Sequence, residues 1–280
     1  MRLARFGLLL FLWLFSISMW AQQLSAPQYT AQTPEQALQA AALIQQSLAA
    51  QNGGTQITDV TLTGSVVVTE GNTTESGTIV LTALATGQTK SILALPSGTR
   101  SSFRDYSVTP HVGKFIGPDG VSKDAAPHDL MGPHPAWYFP QFIMATALLA
   151  PGYSNVDLGQ ETRDGATVRH IAIWQNHGTT SALPTRALQQ FEQRDFYLDP
   201  ATLLPVTLTF SLIGTNPNTQ VKRFRDIPMT TTEEIRFSDY RQVQGRLVAF
   251  HVRIYVHNTL VMEIQFSSFS INTGAVVAGL

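Results

Sequence analysis

The chain has 280 residues, of which 44% are hydrophobic and 13% charged, so it is able to bury a large core and is not a disordered polymer. Its formal net charge of −1 argues against a nucleic-acid-binding protein, which would be clearly basic at this size. The absence of cysteine excludes disulfide scaffolds, cysteine-ligated zinc sites and thiol catalysis.

The first residues predict an export signal. Arg2 and Arg5 precede the apolar run at residues 6–15, which has the length of a signal-peptide core. A membrane anchor is the less favoured alternative, because the apolar stretch from residue 6 to Ala21 falls short of the ~20 residues that span a bilayer. We expect cleavage after Ala21, so that residues 1–21 are the signal peptide and the mature protein is periplasmic or secreted.

A polar linker at residues 22–33 is followed by a predicted amphipathic helix. Thr33, Pro34 and Gln36 have the types and spacing of an N-terminal capping box. Helical spacing predicts one buried face, formed by Ala37, Ala41, Ile44 and Leu48. Glycines 53 and 54 are expected to end the helix, whose apolar face should then lie on a sheet.

Two predicted meanders of antiparallel strands make up most of the remaining chain. Apolar residues alternate with polar ones from residue 60 onward, and glycine-bearing turns separate the runs. Residues 109–135, rich in proline and histidine, are predicted to be a loop insertion with one hairpin at residues 117–120. A short helix is predicted at residues 184–190. The pattern predicts a mostly β (α+β) domain at residues 34–272, with a short tail at 273–280.

A second helix is predicted at residues 139–150, with Phe139, Phe142, Ile143 and Thr146 on one side. With Trp137 and Tyr138 it contains the densest aromatic run of the mature chain. Two interpretations stay open, a core plug under the sheet and a hydrophobic lid over a cavity. With about 10–11 strands and no interior linker, we expect a single strongly curved antiparallel sheet, or unclosed β-barrel, with an N-terminal helix and a lid-like helix.

The segment FYLDPATLLPV at residues 196–206 resembles a stretch of the LolA/LolB-like periplasmic lipoprotein carriers. Asp199 and Pro200 predict a turn in which Thr202 hydrogen-bonds, and Pro205 is predicted to start a strand. A similar likeness to exported relatives extends over residues 235–245. The resemblance implies an unclosed β-barrel whose concave, apolar face holds acyl chains under covering helices.

Side chains able to carry chemistry have simpler interpretations. His128, Asp129 and His134 match no metal-ligand spacing that we recognise, and we expect a solvated loop. The sequence contains no Gly-x-Ser-x-Gly motif, the elbow that is typical of many serine hydrolases. Glu233 and Glu234 are interpreted as turn or strand-edge charges, and the basic cluster at residues 222–225 as a solvated hairpin edge.

We therefore expect an exported protein that is not an enzyme and binds a hydrophobic small molecule or lipid acyl chain in the half-barrel, with no catalytic residue, metal or cofactor. A lipoprotein or a membrane-bound acceptor is a further expected partner. The predicted cavity residues are Trp137, Phe139, Phe142, Ile143, Val206, Leu208, Phe210 and Leu212. The alternative is a non-enzymatic interaction or sensor module with a filled core, and an exported hydrolase is less favoured. An apolar cavity of several hundred Å³ distinguishes the carrier from the module.

Overall fold

The computed structural model describes residues 33–52, 56–126, 129–130, 133–150, 152–175, 189, 192–213 and 230–278. Several predicted features lie outside these ranges: the signal peptide, His128 and the basic cluster at residues 222–225. Of the short helix predicted at 184–190, only Gln189 is described. In the part of the chain that is described, no helix is both long and apolar enough to cross a membrane.

Helix α1, Pro34–Asn52, begins with the predicted capping box. The Gln36 amide donates to Thr33 Oγ1 at 3.2 Å, and the Thr33 amide donates to Gln36 Oε1 at 3.2 Å. The predicted buried face is partly wrong. Its fully buried residues are Ala40, Ile44, Ser47 and Gln51, and the predicted Ala37, Ala41 and Leu48 are half-buried beside them.

Two buried polar side chains explain why the buried face of α1 differs from the face that its apolar residues predict. Ser47 Oγ donates to the Leu203 carbonyl at 2.7 Å, and Gln51 Nε2 donates to the Ser47 carbonyl at 3.1 Å. These bonds satisfy the Ser47 hydroxyl and the amide nitrogen of Gln51, which reduces the desolvation penalty of burying the two side chains. A hydrophobicity pattern cannot find residues that are buried through hydrogen bonds.

In the described part of the chain, thirteen strands form one antiparallel sheet, which confirms the predicted mostly β, unclosed architecture. The strands are β1 (Asp59–Glu70), β2 (Thr73–Leu84), β3 (Gln88–Leu95), β4 (Gly98–Asp105), β5 (Val112–Ile116), β6 (Ser122–Asp124), β7 (Tyr153–Arg163), β8 (Ala166–Gln175), β9 (Arg194–Leu198), β10 (Pro205–Ile213), β11 (Thr230–Val243), β12 (Arg246–Val256) and β13 (Thr259–Ile271). Their order in the sheet is β6-β5-β4-β3-β2-β1-β13-β12-β11-β10-β9-β8-β7. Strands β6 and β7 are therefore the two edges.

The strand count exceeds the predicted 10–11 partly because the proline-rich insertion contributes two short strands. Strands β5 and β6 pair around the hairpin predicted at residues 117–120, where the Gly120 amide donates to the Gly117 carbonyl at 3.0 Å. The proline content of this region predicts a loop and gives no sign of the two strands. Strands this short hold few alternating positions, so periodicity gives little signal.

The core lies on the concave side of the sheet, where α1 and a second helical region pack. This region begins with a 3-10 helix, Pro135–Tyr138, and continues as α2, Gln141–Leu149. The predicted single helix at 139–150 therefore starts too early, because Pro140 has no amide hydrogen and caps α2 instead. Its predicted face is also partly wrong, since Thr146 is exposed while Met144 and Ala147 are buried.

Candidate functional site: the concave face and its lid

Residues 133–150, which we call the lid segment, lie against the concave face of the sheet. Trp137, Phe139 and Phe142 are all buried, and the ring of Trp137 meets that of Phe210 edge-on at a centroid distance of 4.5 Å. The rings of Phe139 and Phe142 pack together at 5.4 Å. The aromatic run predicted from the sequence thus lies in the interior of the half-barrel.

The predicted cavity residues of β10 divide into three groups. Leu208 and Phe210 are buried in the core on the concave side. Val206 is half-buried and stands outside that core, because the pairing of β9 with β10 is irregular between Pro205 and Thr207. The side chain of Leu212 lies outside the described residues. On α2, the predicted Ile143 is half-buried at the border of the core.

Few polar contacts hold the lid segment in place. Gln141 Nε2 donates to the Leu247 carbonyl at 3.3 Å, and the Pro133 carbonyl accepts from Arg104 Nη1 at 2.9 Å. The sulfur of Met144 accepts weak hydrogen bonds from α1 at 3.7 and 3.8 Å. Since no described side chain of the lid segment forms an ion pair, apolar contacts supply most of its attachment.

A column of rings leads from strand β4 to the lid segment. Tyr106 packs on His134 at 4.6 Å, and His134 packs on Trp137 at 5.4 Å. The guanidinium of Arg194 lies 4.5 Å from the centre of the Trp137 ring, which is a cation–π contact. Burial, together with Arg104 and Arg194, holds the pKa of His134 well below its ordinary value, so this imidazole is neutral at physiological pH.

A carboxylate lies in the same interior. Phe210 pairs with Arg194 on one side and with Glu233 on the other, so these three side chains project from the same face of the sheet. Glu233 is only 8% exposed, and burial raises its pKa to about 7. It makes no hydrogen bond or ion pair with any described residue.

The interpretation of Glu233 and Glu234 as turn or strand-edge charges is therefore wrong. Both lie inside β11, buried on opposite faces of the sheet. Glu234 forms ion pairs with Arg163 and Arg236 on the convex face. The alternation of Glu233 with the buried Ile235 and Phe237 was a sequence signal that could have placed Glu233 on the concave face.

A cleft of about 390 Å³ lies elsewhere, at the β4–β6 edge of the sheet. It is lined by Phe103, His111, Val112, Gly113, Lys114, Asp124 and Ala125. None of the predicted cavity residues borders this cleft. In the conformation described, the lid segment packs on the concave face, where the ligand is predicted to bind.

The convex face carries a second buried polar group, around His170. His170 Nε2 lies 3.0 Å from Asp195 Oδ1, and His170 Nδ1 lies 3.2 Å from Glu161 Oε2. Gln193 Nε2 donates to both oxygens of Asp195 at 3.0 Å. Because both nitrogens of His170 contact carboxylates, this imidazole is not placed to accept a proton from a serine, as a hydrolase would need.

The turn that prompted the family resemblance has the predicted geometry. Asp199 Oδ1 accepts from the Thr202 amide at 2.7 Å and from Thr202 Oγ1 at 2.9 Å, and Pro205 starts β10. The Leu203 carbonyl of this turn accepts the hydrogen bond from Ser47 of α1, so the turn also anchors the N-terminal helix. Its role in this chain is structural.

The comparisons with known proteins agree with this architecture. No family model and no curated protein matches the chain. A candidate outer membrane lipoprotein-sorting protein domain from Vibrio parahaemolyticus is structurally similar, with a TM-score of 0.53 at 14% identity, over 86% of this chain and 95% of that one. A DUF1329 family protein from Desulfovibrio piger gives a TM-score of 0.52 at 8% identity over the same shares.

A LolA superfamily protein from Nitrosomonas europaea is also similar, with a TM-score of 0.49 at 6% identity, over 83% of this chain and 93% of that one. Identities this low bear on the fold and not on the ligand. The likenesses to the Vibrio and Desulfovibrio structures, together with the single unclosed sheet and the two helices of the described residues, confirm the fold that the sequence resemblance implied. The chain has a LolA-like half-barrel fold.

Proposed function

We propose that this protein binds a hydrophobic ligand, a lipid or the acyl chains of a lipoprotein, on the concave face of the half-barrel beneath the lid segment. The supporting observation is that the lid segment is attached mainly through apolar side chains. An acyl chain offers the same kind of contact, worth about 0.8 kcal/mol for each buried methylene. Ligand and lid can therefore exchange at small net cost.

Three buried polar atoms destabilise the state in which the lid segment packs on the sheet, compared with a core in which every polar group is hydrogen-bonded. Gln51 Oε1, His134 Nδ1 and Gln141 Oε1 have no hydrogen-bond partner among the described residues, and all lie on or beside the lid segment. Each buried group of this kind costs about 1–3 kcal/mol. Movement of the lid would return them to water, which lowers the free energy needed to open the concave face.

The chain contains its own reporter for this movement. After removal of residues 1–21, its tryptophans are Trp137, in the lid segment, and Trp174, buried among Val156 and Ala172. In a Trp174→Phe variant, titration with dodecanol should shift the emission of Trp137 saturably. The matched Trp137→Phe variant, which reports from Trp174, should show no shift. An unchanged Trp137 emission, in protein that also takes up no diphenylhexatriene, would refute ligand binding.

A second candidate is the non-enzymatic interaction or sensor module. It is favoured by the burial of Trp137, Phe139 and Phe142 against the concave face. A protein of this kind would keep the fold and use its surface loops for binding. It predicts that wild-type protein takes up no apolar probe, so the fluorescence titration separates the two proposals.

We also propose that the protein is exported to the periplasm and is not an enzyme. The supporting sequence feature is the basic and then apolar N-terminal segment at residues 2–15. A lipid carrier in that compartment would load at one membrane and release at another, so a lipoprotein or membrane-bound acceptor is its expected partner. Lipids that co-purify with protein extracted from the native envelope would identify the ligand class by native mass spectrometry.

A further inference from the structure

The interior of the half-barrel contains an acidic group that an acyl chain alone does not need. Glu233 is more than nine-tenths buried, projects from the concave face and has no hydrogen bond or ion pair with a described residue. An unpaired carboxylate is among the groups whose burial in a core costs the most free energy. A ligand group that pairs with it would remove that cost.

We propose that Glu233 is the counter-ion of a headgroup site, and that the ligand of this protein is an amphiphile with a cationic, ammonium-type head. This inference rests on the proposed binding of a hydrophobic ligand and specifies its chemical class. Phe210 lies directly opposite Glu233 on the neighbouring strand, within about 5 Å between Cβ atoms. Tyr138 of the lid segment is near enough for the charge of Glu233 to act on its phenol.

The groups that face Glu233 favour a cation over an anion. From β10 and β12 its paired neighbours are Phe210 and Val256, which carry no charge. From the lid segment it is faced by Tyr138, whose pKa is raised by burial, so the phenol is neutral. Aromatic faces beside a carboxylate are the usual surroundings of a bound ammonium group.

Two arginines lie in the same interior, but both are engaged elsewhere. Arg104 donates to the Pro133 carbonyl and to Tyr106 Oη, and Arg194 lies over Trp137. Burial is the cause of the raised pKa of Glu233, and no arginine in the described ranges offsets it. The contact of Arg194 with Trp137 also shows that this aromatic interior already accommodates a positive group.

The position of Glu233 along the strand indicates where the chain of the amphiphile would lie. The next row of side chains on the same face is entirely apolar and buried; it consists of Ile171, Phe196, Leu208, Ile235 and Ile254. A head at Glu233 would therefore leave the tail on a continuous apolar surface under α1 and the lid segment. Glu233 and the apolar row beside it together match the two halves of an amphiphile.

Proton release accompanies this binding. A protonated Glu233 that receives an ammonium head gives its proton to solvent and becomes the paired carboxylate, while the ligand keeps its charge. Affinity for the cationic amphiphile should therefore rise several-fold between about pH 6 and about pH 8, because the carboxyl titrates near 7. Affinity for an uncharged amphiphile of the same chain length should stay constant.

The test is competition against bound diphenylhexatriene at about pH 8 by three twelve-carbon amphiphiles, each below its micelle concentration. Dodecyltrimethylammonium should displace the probe at a concentration at least about tenfold lower than dodecanoate, with dodecanol between them. Glu233→Gln should abolish this order while dodecanol competes as before. The matched control is Glu234→Gln, which removes the adjacent carboxylate on the opposite face and should preserve the order.

The outcomes separate the two proposals. If wild-type protein takes up no diphenylhexatriene, the proposed hydrophobic-ligand function fails. If it takes up the probe but the three amphiphiles compete equally, or dodecanoate competes best, the headgroup site is refuted and the function stands. Thermal unfolding of Glu233→Gln checks that the variant is folded, and the pH dependence of the wild-type protein tests the same site without any substitution.

Discussion

Replacing Glu233 with glutamine should stabilise the protein, and more so as the pH rises. The pKa of this carboxyl is about 7 in the folded protein and 4.5 when unperturbed. Between these values the folded state holds a proton that the unfolded state has lost, so wild-type stability falls as the pH rises through this window. At about 1.4 kcal/mol for each tenfold change in acidity, the loss reaches about 3 kcal/mol above pH 7.

Glutamine has the same shape and does not ionise, so the variant escapes this loss. Urea unfolding of both proteins should give a stability difference below about 1 kcal/mol at about pH 5 and about 3 kcal/mol at about pH 8. Other carboxyl groups titrate in both proteins and cancel in the comparison. A difference that stays constant across this range, or a variant less stable at high pH, would show that Glu233 is not a desolvated carboxyl.

Three further predictions concern the core, the family turn and the N-terminus. Phe210→Ala should cost about 3–5 kcal/mol in urea unfolding, against about 1 kcal/mol for the half-buried Val206→Ala on the same strand, and equal costs would contradict this difference in burial. Asp199→Ala should cost about 1–2 kcal/mol near neutral pH, because hydrogen bonds from Thr202 stabilise the carboxylate and lower the pKa of Asp199 below its ordinary 3.8. This contribution is lost as the pH falls through the lowered pKa, so a cost that persists in strong acid would contradict the prediction. N-terminal sequencing of mature protein should begin within residues 19–25, and an intact Met1 in soluble periplasmic protein would exclude cleavage.

Local sequence signals predicted the elements whose stabilising contacts are also local. The capping box of α1 and the turn that begins at Asp199 both involve residues within a few positions of one another, and both have the predicted hydrogen bonds. The hairpin at residues 117–120 belongs to the same class. Such motifs need no knowledge of the rest of the chain.

The errors concern side chains whose surroundings come from distant parts of the chain. Ser47 is buried because Leu203, 156 positions away, offers it a carbonyl. Acidic residues are rarely buried, which favours the wrong edge interpretation of Glu233, although its place in the alternation puts it with Ile235 on the concave face. Burial of a polar residue in a core depends on tertiary partners or on a ligand, and the periodicity of the sequence carries no information about either.

The pairing of β1 with β13 has a consequence for how the chain folds. These strands join the two meanders at the centre of the sheet, and Thr63 pairs with Ser268 across some two hundred positions of sequence. Each meander can form from contacts between neighbours, but the join requires the last strand. We expect slow folding with a late, high-contact-order step. A chain emerging N-terminus first would present an unpaired β1 edge until β13 arrives, and that edge is the natural point for a chaperone to protect.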